Sequence, residues 1–326
     1  MILLRLILSA PNHKFKLLQL DSRGVRELRL SRERFKYYSY HASVLARLRA
    51  ELRLWLNTRS SDIVICFHGL PPLLPLKGKV VVFIQNRLLV ESKSLIGHPL
   101  LTRVRLTVER CWLRFFHSPT HRYIVQTPSM QMALQKLWKD ANVSVFPFAP
   151  VFETKSIENE FQHGKKFDFL YVASGESHKN HLNLLEAWRI LADADLRPSL
   201  ALTVSSEAFP QLCAKIAKYT KEHSLDITNL NLIEPSKIHK LYQSASALIF
   251  PSTTESFGLP LIEAKQLEIP ILAAELDYVR DVVEPIETFD PHSPISIARA
   301  VKRFLDQPEP TAKIHSAEEF LSEILR

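Results

Sequence analysis

The chain has 326 residues, enough for one large domain or two ordinary ones with buried cores. Its 46% hydrophobic and 23% charged residues exclude a mainly disordered chain, and its seven scattered glycines exclude a Walker loop and a G-x-G-x-x-G fingerprint. The net charge of +8 is unevenly spread: residues 1–150 hold 24 Lys and Arg against 8 Asp and Glu, whereas residues 151–326 hold 18 against 26. That step predicts two domains, 1–150 and 151–326, joined near Pro147, Pro150 and the polar run Glu153–Lys166. Cys66, Cys111 and Cys213 are too scattered for a disulfide framework or a zinc site and fit a reducing cytosol. No apolar run reaches the ~18 residues of a membrane span. MILLRLILSA lacks a cleavage site and does not read as a signal peptide.

In chain order, Met1–Ser9 is apolar and helix-like. Strands are predicted at Phe15–Leu20, Ile63–Phe67, Val80–Ile84, Tyr123–Gln126 and Val143–Phe146, with helices over Tyr40–Leu56, Leu101–Phe116 and Ser129–Lys139. The second half alternates more cleanly. Strands are predicted at Phe167–Ser174, Leu200–Val204, Asn229–Ile233, Ala247–Phe250 and Pro270–Ala273. Helices are predicted over Asn180–Ala192, Phe209–Glu222, Lys237–Ser244 and Leu259–Leu267. Such alternation implies parallel sheets covered on both faces. The expected fold class is α/β, with two Rossmann-like doubly wound domains facing a cleft. Ligands bind at the carboxyl ends of strands in such sheets.

Two strand-turn-helix segments carry the chemistry. In Pro251–Glu263 a strand ends in a polar turn. Gly258 there can adopt a backbone closed to other residues, and Pro260 suits a first helical turn. The helix start offers free N–H groups and positive potential, an anion site. Glu255 and Glu263 bracket it and could grip hydroxyls on either side of a diphosphate. The same residues also fit a solvated Glu255 and a Glu263 that only complements the helix dipole. In Tyr171–Asn180 a strand again meets a helix, with Asn180 as a cap and Lys179 as a point charge for phosphate or an ordinary exposed lysine.

From about Phe167 to Pro285 the chain resembles the second domain of retaining glycosyltransferases of family 4, which have the GT-B fold. The resemblance rests on H-K-N at His178–Asn180, on P-S-x-x-E-S-F-G-L-P-L-I-E at Pro251–Glu263 with its E-x7-E spacing, and on Ile269–Ala274, where Glu268 replaces a usual glycine. It implies that Glu263 binds the ribose diol and Glu255 the sugar hydroxyls of a nucleoside-diphosphate sugar. Lys179 and the amides of Phe257, Gly258 and Leu259 would stabilise the leaving diphosphate, with Ser174, Gly175 and Ser256 also on the donor. Donors aimed at developing charge give preorganised stabilisation. No metal or other cofactor is expected.

Three departures stand out. The family's arginine five residues before the lysine is Ser174 here, so the second positive charge must come from elsewhere or be absent. The histidine usual after the second strand of the first domain is replaced by Gln85-Asn86, leaving His68 and Asn86 as candidates to face the reacting sugar. The family's first strand and glycine-rich turn are missing, which predicts a first domain short of one strand and a truncated or misassigned start.

Asp193-Ala-Asp195 matches a D-x-D metal motif formally but sits at a helix end. His178 and His181 flank Lys179 without acidic or cysteine partners for zinc. Arg23–Lys36 and Arg103–Arg122 are basic, the latter interleaved with Trp112, Phe115, Phe116 and Tyr123. They read either as a solvated face or as a peripheral membrane contact. No nucleic-acid motif is present, and no nucleic-acid partner is expected. The expected function is transfer of a hexose, mannose or a deoxyhexose, to a glycan acceptor. That acceptor is expected to be a lipid-linked surface-polysaccharide precursor such as an O-antigen, at the inner face of the cytoplasmic membrane. A non-catalytic sugar-nucleotide or glycan binder and a sugar-nucleotide epimerase of the same fold are the alternatives.

Overall fold

A computed structural model describes residues 2–9, 15–28, 36–41, 43–91, 99–150 and 165–309. The N-terminal half runs α1 (Ile2–Ser9), β1 (Leu18–Asp21), α2 (Ser22–Leu28), β2 (Tyr37–Tyr40), α3 (Val44–Asn57), β3 (Ile63–Cys66), β4 (Lys79–Phe83), α4 (Arg87–Val90), α5 (Leu100–Phe115), β5 (Arg122–Val125), α6 (Pro128–Leu137) and β6 (Asn142–Val145). The C-terminal half runs β7 (Phe167–Tyr171), a 3-10 turn (Ser177–Lys179), α7 (His181–Asp193), β8 (Leu200–Leu202), α8 (Pro210–Glu222) and β9 (Ile227–Asn229). A second 3-10 turn (Pro235–Lys237) then leads to α9 (Ile238–Gln243), β10 (Ala245–Phe250), α10 (Leu259–Gln266), β11 (Ile271–Ala274), α11 (Asp277–Arg280), β12 (Glu287–Phe289) and α12 (Pro294–Phe304). The expected linker falls almost wholly in 151–164, outside the described residues.

The C-terminal sheet has six parallel strands in the order β12-β11-β10-β7-β8-β9. Burial on both faces explains why β11 is apolar at every position and β10 at nearly every one. Trp188 of α7 is buried against Phe169 of β7, and its indole N–H donates to the Pro198 carbonyl at 2.8 Å. Such a side chain contributes about 2–3 kcal/mol through burial and leaves no polar atom unpaired. β12 escaped prediction because its three residues hold a single buried apolar side chain, Phe289. The strand expected at Asn229–Ile233 forms earlier, at β9: Asn231 is left-handed, φ 64°, and breaks the extended run. After α10, Glu268 is left-handed as well, φ 54°, at the position where the resembling motif uses glycine.

The main N-terminal sheet has four parallel strands, β3-β4-β5-β6, packed on a core that includes Val82, Leu106, Leu113, Tyr123 and Met130. The strand expected at Phe15–Leu20 appears as β1. It pairs only with β2, in parallel, and does not join the main sheet. β3 is therefore an edge strand among the described residues, and its Ile63 and Ile65 are exposed.

Candidate active site

β7 and β10 pair directly, so their carboxyl ends lie side by side and bring the two chemistry-bearing loops together. The loops are laced tightly. Thr253 N–H donates to the His178 carbonyl at 2.8 Å, and the Tyr171 hydroxyl donates to the Lys179 carbonyl at 2.7 Å. Asn180 stands at the predicted cap position of α7 but does not cap it. It is left-handed, φ 63°, and its amide donates to the carbonyls of Pro251 (3.1 Å) and Pro291 (2.6 Å).

This lacing brings the Lys179 ammonium to 2.5 Å from Glu255 Oε1, which also accepts from the Ser252 hydroxyl at 2.8 Å. The two side chains are 16% and 13% exposed. An ion pair so shielded is stronger than a surface pair. Lys179 is therefore not the ordinary exposed lysine, and Glu255 is not simply solvated. Next to them Gly258 has φ +72° and starts α10, with Pro260 in its first turn. The N–H groups of Phe257, Gly258 and Leu259 have no hydrogen-bond partner among the described residues. Three unpaired donors at a helix start form an anion site.

Glu263, one turn into α10, is 7% exposed and accepts from the Tyr242 hydroxyl at 2.8 Å. Burial pushes its pKa above the usual 4.5, against the opposing effect of the Tyr242 bond. His181 is also buried. Its Nε2 lies 2.7 Å from the Ser174 carbonyl, and burial lowers its pKa to about 4, so the neutral ring donates and pins the loop after β7. Gly175 is required there by close approach: a Cβ would lie 2.5 Å from Phe209 Cγ.

The N-terminal half closes over the turn at Glu255–Ser256. The Ser256 hydroxyl donates to the Gln85 carbonyl, and the Ser256 carbonyl accepts from the Thr127 hydroxyl at 3.3 Å. Ser129 N–H, at the start of α6, donates to Asp281 Oδ2 at 2.9 Å. Between the halves lies a cleft of about 280 Å³ lined by Gln85, Asn86, Arg87, Leu88, Thr102, Arg105 and Leu106 on one side and Glu176, His178, Thr254, Glu255 and Ser256 on the other.

Two arginines thus reach the cleft from the half where sequence reasoning looked for a histidine. Arg87 donates to the Glu255 carbonyl at 3.5 Å and to the Ser129 hydroxyl at 3.3 Å, and pairs with Glu91 at 2.5 Å. Arg105 stands on α5, its side chain 65% exposed. Arg87 directly follows the Gln85-Asn86 pair in sequence, and that adjacency is its only local signal. Arg105 and Tyr242 carry no motif. Ser174, by contrast, is exposed, and its hydroxyl donates to the Glu176 carboxylate.

The remaining expected residues are only partly gathered. Asn86 lines the cleft, but its Oδ1 caps α4 by accepting from Leu88 N–H at 3.0 Å. His68 stands in the turn after β3 and is not among the lining residues. Crowding by the chain and the Arg47 charge push its pKa down even though the side chain reaches water. Of the residues expected at the donor, Glu255, Ser256 and Asn86 line the cleft, whereas Lys179, Phe257, Gly258, Leu259 and Glu263 are not among its lining residues, and neither are Ser174 and Gly175, which shape the loop after β7. Asp193 of the D-x-D match pairs with Arg189 at 2.5 Å. Among the described residues, no group of three or more His, Cys, Asp or Glu is placed to hold a metal.

A family model described as Glycosyl transferases group 1 matches residues 152–319, half of the chain, including both loops. The chain belongs to the group 1 glycosyltransferases. Curated relatives include the serotype-specific mannosyltransferase WbdA of Escherichia coli, 30% identical over 144 residues, or 42% of this chain and 17% of WbdA. The D-inositol 3-phosphate glycosyltransferase of Streptomyces griseus is 32% identical over 150 residues, 41% of this chain and 30% of that protein. The alignments thus span less than a third of either relative. Among solved structures, Anabaena Alr3699/HepE in complex with UDP and glucose superposes with a TM-score of 0.64 at 15% identity, covering 89% of this chain and 82% of that one. A Rickettsia africae glycosyltransferase gives 0.62 at 13% identity, over 90% and 89%. Both likenesses extend across the two halves and identify the GT-B fold of this group 1 chain.

Proposed function

We propose that the chain is a retaining glycosyltransferase of two domains, 1–150 and 151–326. It would move a hexose from a nucleoside-diphosphate sugar to a hydroxyl of a glycan acceptor. The observation that carries this reading is the Lys179–Glu255 pair set beside three unpaired N–H groups at the start of α10. In this reading Lys179 and the amides of Phe257, Gly258 and Leu259 hold the diphosphate, and Arg87 supplies the second positive charge that Ser174 lacks. Glu263 accepts from the ribose diol, and Glu255, exchanging its bond with Lys179 for the ligand, accepts from sugar hydroxyls. The bond from the sugar C1 to the diphosphate oxygen breaks, and the acceptor oxygen bonds to C1 on the same face. The acceptor's proton passes to the leaving phosphate oxygen. No metal is needed where fixed cations and amides stabilise that charge.

The similarity to WbdA, a serotype-specific mannosyltransferase, supports mannose as the sugar; the acceptor proposed with it is a lipid-linked surface-polysaccharide precursor at the inner face of the membrane. Lys179, Arg87 and the three amides at the start of α10 converge on the place of a leaving diphosphate, which favours a transferase over a passive binder. The test is incubation of the full chain with a panel of nucleoside-diphosphate sugars and lipid-linked glycan acceptors, with NMR of the new linkage. An anomeric configuration equal to the donor's is the expected result. An inverted product, or donor binding without transfer to any acceptor, would overturn the proposal.

A further inference from the structure

The outward face of α5 is apolar where a surface helix is normally polar. Leu101, Val104, Val108 and Phe115 are 85%, 55%, 57% and 83% exposed, and Cys111 is exposed with them. At ~100° per residue these five positions share an arc of roughly 80°. They lie opposite Leu106 and Leu113, which are buried in the core of the N-terminal half. The helix is thus apolar on both sides, once toward the protein and once toward solvent.

The charges are placed to match. Arg103 and Arg114 border the exposed stripe on one side and Arg105 on the other. The helix's single acid, Glu109, lies off the stripe on the far side of Arg105, whose guanidinium it faces at 3.9 Å. An apolar stripe between rails of arginine suits a lipid surface with anionic headgroups: the stripe enters the acyl boundary and the guanidiniums meet phosphates. It suits a second copy of the chain poorly, because a two-fold contact would set arginine rails against each other with no acid between them. No described helix is long and apolar enough to cross a membrane, so the contact would lie along the surface.

We propose that α5 is an interfacial helix that seats the N-terminal half on an anionic bilayer. The same helix sends Thr102, Arg105 and Leu106 into the wall of the cleft. Seating it therefore brings the cleft beside the membrane, where a lipid-linked acceptor is presented. The purpose rests on the transfer reading above. The docking itself rests on the helix face and is measured without donor or acceptor.

The experiment is co-sedimentation of the full chain with vesicles of phosphatidylcholine alone and of phosphatidylcholine mixed with phosphatidylglycerol. The parent is expected to bind the anionic vesicles and to release them as salt rises. The variant Leu101→Ser/Val108→Ser/Phe115→Ser is expected to lose roughly tenfold or more in binding, since each side chain withdraws from the acyl boundary. The variant Arg103→Ser/Arg114→Ser is expected to lose its preference for anionic vesicles. Circular dichroism and a thermal melt, unchanged at these exposed positions, keep the comparison on a folded chain. Vesicle binding that survives the triple substitution, or a parent that ignores vesicles, overturns the proposal. So does a parent dimer in sedimentation velocity that the triple substitution dissolves, because the face would then belong to a second copy.

Discussion

The Lys179 ammonium and the Glu255 carboxylate, 76 residues apart in sequence, meet at 2.5 Å because their loops follow adjacent parallel strands. Removing the cation alone strands a shielded charge, and that orphaning costs more than the pair itself is worth. Lys179→Ala is expected to destabilise the fold by about 2 kcal/mol, a value reduced from that of a fully buried pair by the residual exposure. The double substitution Lys179→Ala/Glu255→Ala should lose less than that. Turnover in the single variant should fall about 10²–10³-fold, the range for deleting one preorganised donor. Urea unfolding and steady-state kinetics check the two parts separately.

Arg87 reaches Glu255 of that pair from the opposite half of the chain, donating to its carbonyl at 3.5 Å, and both residues line the cleft. If it takes the place of the arginine absent at Ser174, Arg87→Ala should lower turnover about tenfold to a hundredfold with a smaller change in donor affinity, as expected when a charge matters more in the transition state. The informative variant is the rescue. Ser174→Arg in the Arg87→Ala background is expected to recover part of the turnover, because Ser174 is exposed and spends its hydroxyl only on Glu176. Kinetics with each of the three proteins decide it, and an unaffected Arg87→Ala turnover would remove Arg87 from the reaction.

The contrast between Lys179 and Arg87 shows what was legible in the sequence. Lys179, Glu255, Gly258 and Glu263 lie in short local runs whose spacing reports a strand end, a turn and a helix start, and the six-stranded sheet then brings them together. The buried strands β10 and β11 were readable for the same local reason: burial on both faces makes them continuously apolar. Arg87 and Arg105 reach the site only through the docking of two halves, which no periodicity encodes. Tyr242 is linked to Glu263 across 21 residues and bears no motif. β1 and β2 have the composition of strands, but which sheet they join depends on partners far away in sequence.

Glu263 is held where its charge is costly. Burial raises its pKa, so this group favours the folded state at low pH, and that contribution is lost as pH rises through its folded-state pKa. Ionising this carboxylate in the folded chain therefore costs stability. Glu263→Gln keeps an oxygen for the Tyr242 hydroxyl and removes the charge. Its stability is expected to match the parent's or exceed it by about 1 kcal/mol. Its donor affinity should fall roughly tenfold to a hundredfold, the loss of charge-assisted bonds to a diol. In the parent, donor affinity should start to fall, with decreasing pH, above the usual glutamate value of 4.5. Calorimetric titration across pH follows both effects.

His181 runs the other way. Its neutral ring donates from Nε2 to the Ser174 carbonyl, packs at a tilt of 45° against Tyr171, and is buried so that its pKa falls from 6.5 to about 4. The unfolded chain takes up a proton near pH 6.5 that the folded chain refuses until about pH 4. The stability it contributes is therefore complete above pH 6.5 and drains away as pH falls through that window, by about 3 kcal/mol at most. The loss should appear first in the loop after β7, which carries Ser174 and leads to Lys179, so donor binding should weaken before global unfolding. His181→Gln can still donate to the Ser174 carbonyl but cannot take up the proton. It should be less stable than the parent at neutral pH, through lost ring packing, and show a flatter decline between pH 6.5 and about 4. Urea midpoints for both proteins across that window measure the difference, and parallel curves would mean that another group controls the acid transition.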